Sequence, residues 1–117
     1  MDTSNTTNAI ICSDKVEGTS VYNSNGEKLG SIDSLMIDKR SGQVRHAVLE
    51  FGGFLGLGTD RYPLPWSLLK YDTVLDGYVV PISKERLDNA PRYPYASTSP
   101  FTTDGSYGQR VNDFYGS

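Results

Sequence analysis

From Gly18 to Asn89 apolar residues alternate with polar ones at the two-residue period of strands, and turn-forming pairs interrupt the pattern about every ten residues. Asn25-Gly26 is the strongest of these pairs, since a type I′ turn needs positive φ at both central positions; it predicts a hairpin joining Thr19–Asn23 to Lys28–Asp38. Ser41-Gly42 predicts a second, leading into Gln43–Phe51. Along that strand Arg45, Ala47, Leu49 and Phe51 alternate with Val44, His46, Val48 and Glu50, so both faces carry apolar residues. A barrel interior takes only one such face, and the other needs a cover. Asp60–Leu64 reads as a strand that runs or ends at an edge, because Pro63 and Pro65 cannot donate to a ladder. Trp66–Leu69 follows as a single helical or 3₁₀ turn, and Asp76-Gly77 predicts a hairpin between Lys70–Val74 and Tyr78–Pro81. Ser83 is placed to cap a short helix over Lys84–Asn89, with Glu85 near its positive end. The sum is an all-β chain, a small antiparallel barrel of five to six strands with one short C-terminal helix.

Either side of this core the pattern changes. Residues 1–16 are rich in Ser, Thr and Asn and have too little apolar surface to offset ordering entropy, so they read as a polar lead to a domain over 17–90. In the tail, 91–117, Val111 is the only Ile, Leu, Val or Met, yet Tyr93, Tyr95, Phe101, Tyr107, Phe114 and Tyr115 persist. Such a tail cannot make its own core, but it can wrap over the barrel or over a second subunit. With 117 residues, 37% of them hydrophobic, one domain is expected. A net charge of −3 disfavours nucleic acid, and Asp104 and Asp113 offset Arg92 and Arg110 in the tail. Cys12 stands alone, which suits a reducing compartment, and the chain shows neither a cationic, apolar leader nor a run of about 20 apolar residues. A cytoplasmic protein with no direct membrane insertion is expected.

The order Val21-Tyr22-Asn23-Ser24-Asn25-Gly26-Glu27-Lys28-Leu29-Gly30, then Ile37-Asp38, Ser41-Gly42, Gly52-Gly53-Phe54-Leu55-Gly56-Leu57-Gly58 and Pro65-Trp66, resembles the PRC-barrel family over residues 18–90. That family includes the barrel of the photosynthetic reaction centre H subunit and a related barrel in a ribosome maturation factor. The resemblance implies a small β-barrel used to dock other proteins, here as a stand-alone barrel. It also offers two further roles by analogy, an accessory factor in RNA or ribosome maturation and an accessory protein of a photosynthetic or electron-transfer membrane complex. It transfers no catalytic residue.

Each candidate for chemistry has a structural reading beside it. The glycine loop invites an anion-binding reading, but a phosphate loop needs a helix directly after it and a Gly-Lys-Ser/Thr, whereas a strand follows here; a tight corner packed by Phe54, Leu55 and Leu57, or a docking tip, fits better. His46 is the only histidine and no Cys or His cluster accompanies it, so a zinc site is not expected. Asp33, Asp38, Glu50 and Asp60 could supply paired carboxylates, but Arg40, Arg45 and Arg61 explain them as ion pairs and turn caps. Trp66, beside Pro63 and Pro65, reads as the seal of the barrel end or as an aromatic platform. The expectation is a non-catalytic docking module without cofactor or metal, binding protein and self-associating as a homodimer. Its surface is expected to include Val44, His46, Val48, Phe54, Leu55, Leu57 and Trp66, with the outer-face set (Val44, Val48 and Met36) covered by the tail or by a symmetry mate.

Overall fold

The computed structural model describes residues 10–51, 60–95 and 98–116. Within them lie β1 (Ser20–Asn23), β2 (Lys28–Ile37), β3 (Val44–Phe51), β4 (Asp60–Pro65), a 3₁₀ turn at Trp66–Leu68, β5 (Lys70–Asp72), β6 (Gly77–Val80) and β7 (Tyr93–Pro94). Four short helices accompany them: α1 (Ser13–Val16), α2 (Lys84–Asp88), α3 (Pro100–Thr103) and α4 (Tyr107–Tyr115). The strands of the core fall where the alternation and the turn pairs place them.

The first hairpin differs in mechanism from the expected I′ turn. Asn23 N–H donates to the Glu27 carbonyl at 2.9 Å, which leaves a three-residue loop in which Gly26 alone takes positive φ, at +84°. The Asn23 side chain replaces the second strained position: its Oδ1 accepts from the N–H groups of Asn25 and Glu27, both at 3.0 Å. At the other end, Ser83 caps α2 by accepting from Arg86 N–H, as expected of a serine ahead of that helix.

The architecture corrects the five- or six-stranded antiparallel barrel. The described strands form one seven-stranded sheet in the order β5-β6-β1-β2-β3-β4-β7. It is mixed, because β6 lies parallel to β1 while every other pair is antiparallel. It follows that β4 and β5 run in the same sense, so Trp66–Leu68 is a corner carrying the chain from one side of the sheet to the other. Flat, those two strands would stand about 24 Å apart, five strand spacings. The stretch from Pro65 to Lys70 reaches at most about 18 Å even when fully extended. The sheet must therefore curl strongly, which makes it barrel-like, but no ladder joins β5 to β7 among the described residues and the barrel stays open.

The concave face holds the main core. Val21, Leu29, Ile32, Ala47, Leu49, Tyr62, Leu64 and Val80 form one cluster, completed by Val16 of α1 and Leu87 of α2. Val16 is only 4% exposed, so the last residue of the polar lead packs into the core.

Candidate interaction site

The convex face of β3 and β4 has its own cover. His46 and Val48 point there, opposite Pro65 and Pro63 in the ladder, and are 6% and 0% exposed. The C-terminal helices lie over them. Asn112 Oδ1 accepts from His46 Nε2–H at 2.9 Å, and the Phe101 ring stands 5.0 Å from the imidazole. A Cβ built on Gly108 would lie 3.3 Å from His46 Cε1 and 3.6 Å from Phe101, so the absent side chain is what lets α4 come this close. Val111 and Tyr107, one helical turn apart, are buried on the same side of α4. Val48, Tyr107 and Val111 are all buried outside the main core cluster. The cover that both apolar faces of β3 required is thus the protein's own tail.

Electrostatically this second layer is dry but imperfectly satisfied. Burial pushes the His46 ring below its ordinary value of 6.5 and outweighs the hydrogen bonds with Asn112 and Gly108, which pull the other way; the Arg45 charge adds to the lowering. Burial likewise pushes Tyr107 up to about 12 and Tyr115 higher still. Neither hydroxyl has a hydrogen-bond partner, and an unpaired buried hydroxyl costs about 1–3 kcal/mol. Arg86 ties the end of α4 to α2, donating to the Phe114 carbonyl with its guanidinium 4.7 Å from the Phe114 ring centre.

A second region faces outward. In the β5–β6 hairpin Val74 is 92% exposed and Leu75 38%, both in the turn, and Tyr71, on the strand that ends the sheet, is 46% exposed. They are held rather than loose: Asp72 Oδ1 accepts from Val74 N–H at 2.9 Å and Leu75 N–H at 3.1 Å, and the Tyr71 hydroxyl donates to Asp76. That bond to a carboxylate is the main reason the Tyr71 hydroxyl titrates above its ordinary value. Asp76 takes the one positive φ of the loop, +52°, and Gly77 is not in the turn but begins β6, where a Cβ would meet the Ser20 carbonyl oxygen at 2.6 Å. Trp66, half-buried against the core, joins this region through Tyr78, whose ring centre lies 5.5 Å from those of both Trp66 and Tyr71. No periodicity marks Tyr71, Val74 and Leu75 in the sequence; apolar residues within a turn are the signal that would have found them.

Of the other expected surface residues, Val44 is half-buried at the end of β3, while Phe54, Leu55 and Leu57 lie outside the described residues. The carboxylates are spread over separate caps and ion pairs. Asp38 Oδ1 accepts from Arg40 and Ser41 N–H, both at 2.9 Å, and its carboxyl is lowered chiefly by the Ser41 bond. A bulge in β2 turns Asp33 toward the buried Arg61, 3.3 Å away, and Asp60 meets Arg92 at 3.2 Å. Cys12 is exposed, and among the described residues no three of His, Cys, Asp and Glu gather where they could hold a metal. No described helix is long and apolar enough to cross a membrane.

A short curled sheet entered by an Asn-Gly hairpin and turned by a Pro-Trp corner defines a small β-barrel-type module. The family model for the PRC-barrel domain matches residues 12–87, about two thirds of the chain, and the protein belongs to that family. A search of curated proteins finds no match. The matched segment ends before β7, so β7, α3 and α4 lie outside it.

Proposed function

We propose that this protein is a non-catalytic docking module for other polypeptides, itself included, and that it docks through the β5–β6 hairpin. The observation that supports this is the rigid outward presentation of Tyr71, Val74 and Leu75 at the open end of the sheet. A turn backbone fixed before binding loses little entropy on contact, which favours a docking surface. The edge strand adds backbone donors and acceptors that a partner strand can pair with. Membership of the PRC-barrel family, whose barrels serve protein interaction, agrees with this reading.

The direct test combines Val74→Glu with Leu75→Lys, a pair that leaves net charge unchanged. Both positions are exposed, so the fold should persist within about 0.5 kcal/mol. In vivo cross-linking followed by affinity capture should recover protein partners with the native chain and lose them with the variant. Identical capture by both chains would end the proposal.

A further inference from the structure

We infer that β5 pairs with β5 of a second copy of this chain, antiparallel and in a single register, about a two-fold axis at Tyr71. The inference rests on the hairpin docking proposed above and names its partner. Among the described residues no ladder lies on the outer side of β5, so its backbone donors and acceptors are open to an added strand. The strand itself, Lys70-Tyr71-Asp72, is self-complementary in charge. Lys70 and Asp72 share one face and Tyr71 takes the other. Set antiparallel against its own image with Tyr71 at the centre, each Lys70 stands opposite Asp72 of the second copy. Centring the axis on Lys70 or on Asp72 brings like charges face to face, and an in-register parallel pairing does so at both positions; charge therefore selects one arrangement. A lysine on a sheet edge ordinarily discourages pairing, but here the same strand supplies its counter-charge across the axis. Both charges are available for it. Arg45, Arg61, Lys84, Arg92 and Arg110 each meet a carboxylate of their own chain, whereas among the described residues neither Lys70 nor Asp72 has an ion-pair partner. On the other face the Trp66, Tyr78 and Tyr71 rings form a row with 5.5 Å steps that runs out to the edge, and the pairing continues it into the second copy. Val74 and Leu75 lie beyond Asp72, so the turn of one copy faces the Trp66–Leu68 corner of the other and its exposed apolar surface gains a cover. The opposite edge, β7, is two residues long and includes Pro94, which cannot donate, so the assembly closes as a dimer. A three-residue ladder buries less than a standard interface of about 1,600 Å², which places this dimer in the weak class that dissociates on dilution.

Cross-linking reads the register. In Cys12→Ser/Tyr71→Cys chains the two thiols meet on the axis, where opposite Cα atoms of an antiparallel pair stand about 4.5–5.5 Å apart, within disulfide reach. Oxidation with diamide should give a covalent dimer faster than it does in Cys12→Ser/Val74→Cys chains, although Val74 is the more exposed position. Equal or faster coupling through position 74 would overturn the register. Sedimentation equilibrium then reads the charges. Lys70→Glu sets carboxylates opposite each other at both ends of the ladder and should weaken the dimer about tenfold or more. Mixed one to one with Asp72→Lys chains, it should recover a heterodimer, because every cation again faces a carboxylate; its absence counts against the pairing. Asp72→Lys also removes a turn cap, so the cross-link at position 71 stands as the independent measurement. A wild-type chain that stays monomeric at every concentration, or a Lys70→Glu chain that dimerises as the wild type does, rejects the second copy as partner. That failure is separate from failure of the docking reading: a monomer that still captures other proteins, and loses them in Val74→Glu/Leu75→Lys, keeps the hairpin as the docking surface and rejects only the self-pairing.

Discussion

The two faces of β3 are stabilised in different ways. On the concave side Ala47 and Leu49 meet aliphatic residues from four other strands and two helices, in a cluster built almost entirely inside the matched domain. On the convex side His46 and Val48 meet a late segment rich in aromatic rings, linked by one His–Asn bond and leaving the Tyr107 hydroxyl without a partner, while Phe114 and Tyr115 at the end of α4 pack against the main core. The first face is satisfied by shape and volume alone. The second combines burial with polar groups that water would serve equally well. A layer of the second kind opens more readily than one of the first, and this contrast separates the domain from its cover.

The largest expected effect comes from the concave side. Leu49 is fully buried, so Leu49→Ala should cost about 2–5 kcal/mol and lower the unfolding midpoint of the whole sheet, as read by denaturant titration. Next is Val111→Asp, which sets a carboxylate in the dry seam of α4. Hydrogen exchange should show α4 amides unprotected while β3 amides keep their rates; a loss of protection in both would erase the distinction. Smaller and opposite in sign is Tyr107→Phe, which removes an unpaired hydroxyl and leaves the ring contacts with Phe101 and Tyr93. It should stabilise the tail by about 1 kcal/mol, measured from the same amides.

The smallest effect is in pH. Folding depresses the His46 value below 6.5, so the contribution of the neutral ring is complete above pH 6.5 and is lost as pH falls from there toward the folded value. Asn112, Gly108 and Phe101 lie against the ring, and the Arg45 charge acts on it from the neighbouring position. Asp104, lowered to about 2 by its bonds with Ser106 and Arg110, loses its contribution only below the ordinary carboxylate value of 3.8. Protection of α4 should therefore decline as pH falls below 6.5, and His46→Gln should flatten that slope.

The concave face was legible from the start because period-two alternation and turn pairs are local signals. They placed six strands, the Trp66 corner and the Ser83-capped helix. What they could not give was the closure of the sheet. The parallel pairing of β6 with β1 joins residues more than fifty positions apart and leaves no local mark. β7 is two residues long and contains a proline, and α3 and α4 carry a single aliphatic residue between them, so apolar periodicity was too sparse to announce them. The need for a cover over Val48 was readable from β3, but the choice between tail and symmetry mate was not. His46 belonged to the expected surface and lies instead inside the seam, where its bond to Asn112, 66 residues away, is invisible to spacing.

Native-state hydrogen exchange on the full chain tests the division between domain and cover most directly. Amides of α4 should open with a smaller free energy than those of β3, and with a weaker dependence on denaturant, because their opening exposes the convex seam and the edge of the core under Phe114 and Tyr115 but leaves the sheet intact. If the amides of Val111 and Leu49 instead merge into one isotherm at all denaturant concentrations, tail and sheet unfold as a single unit and the account fails.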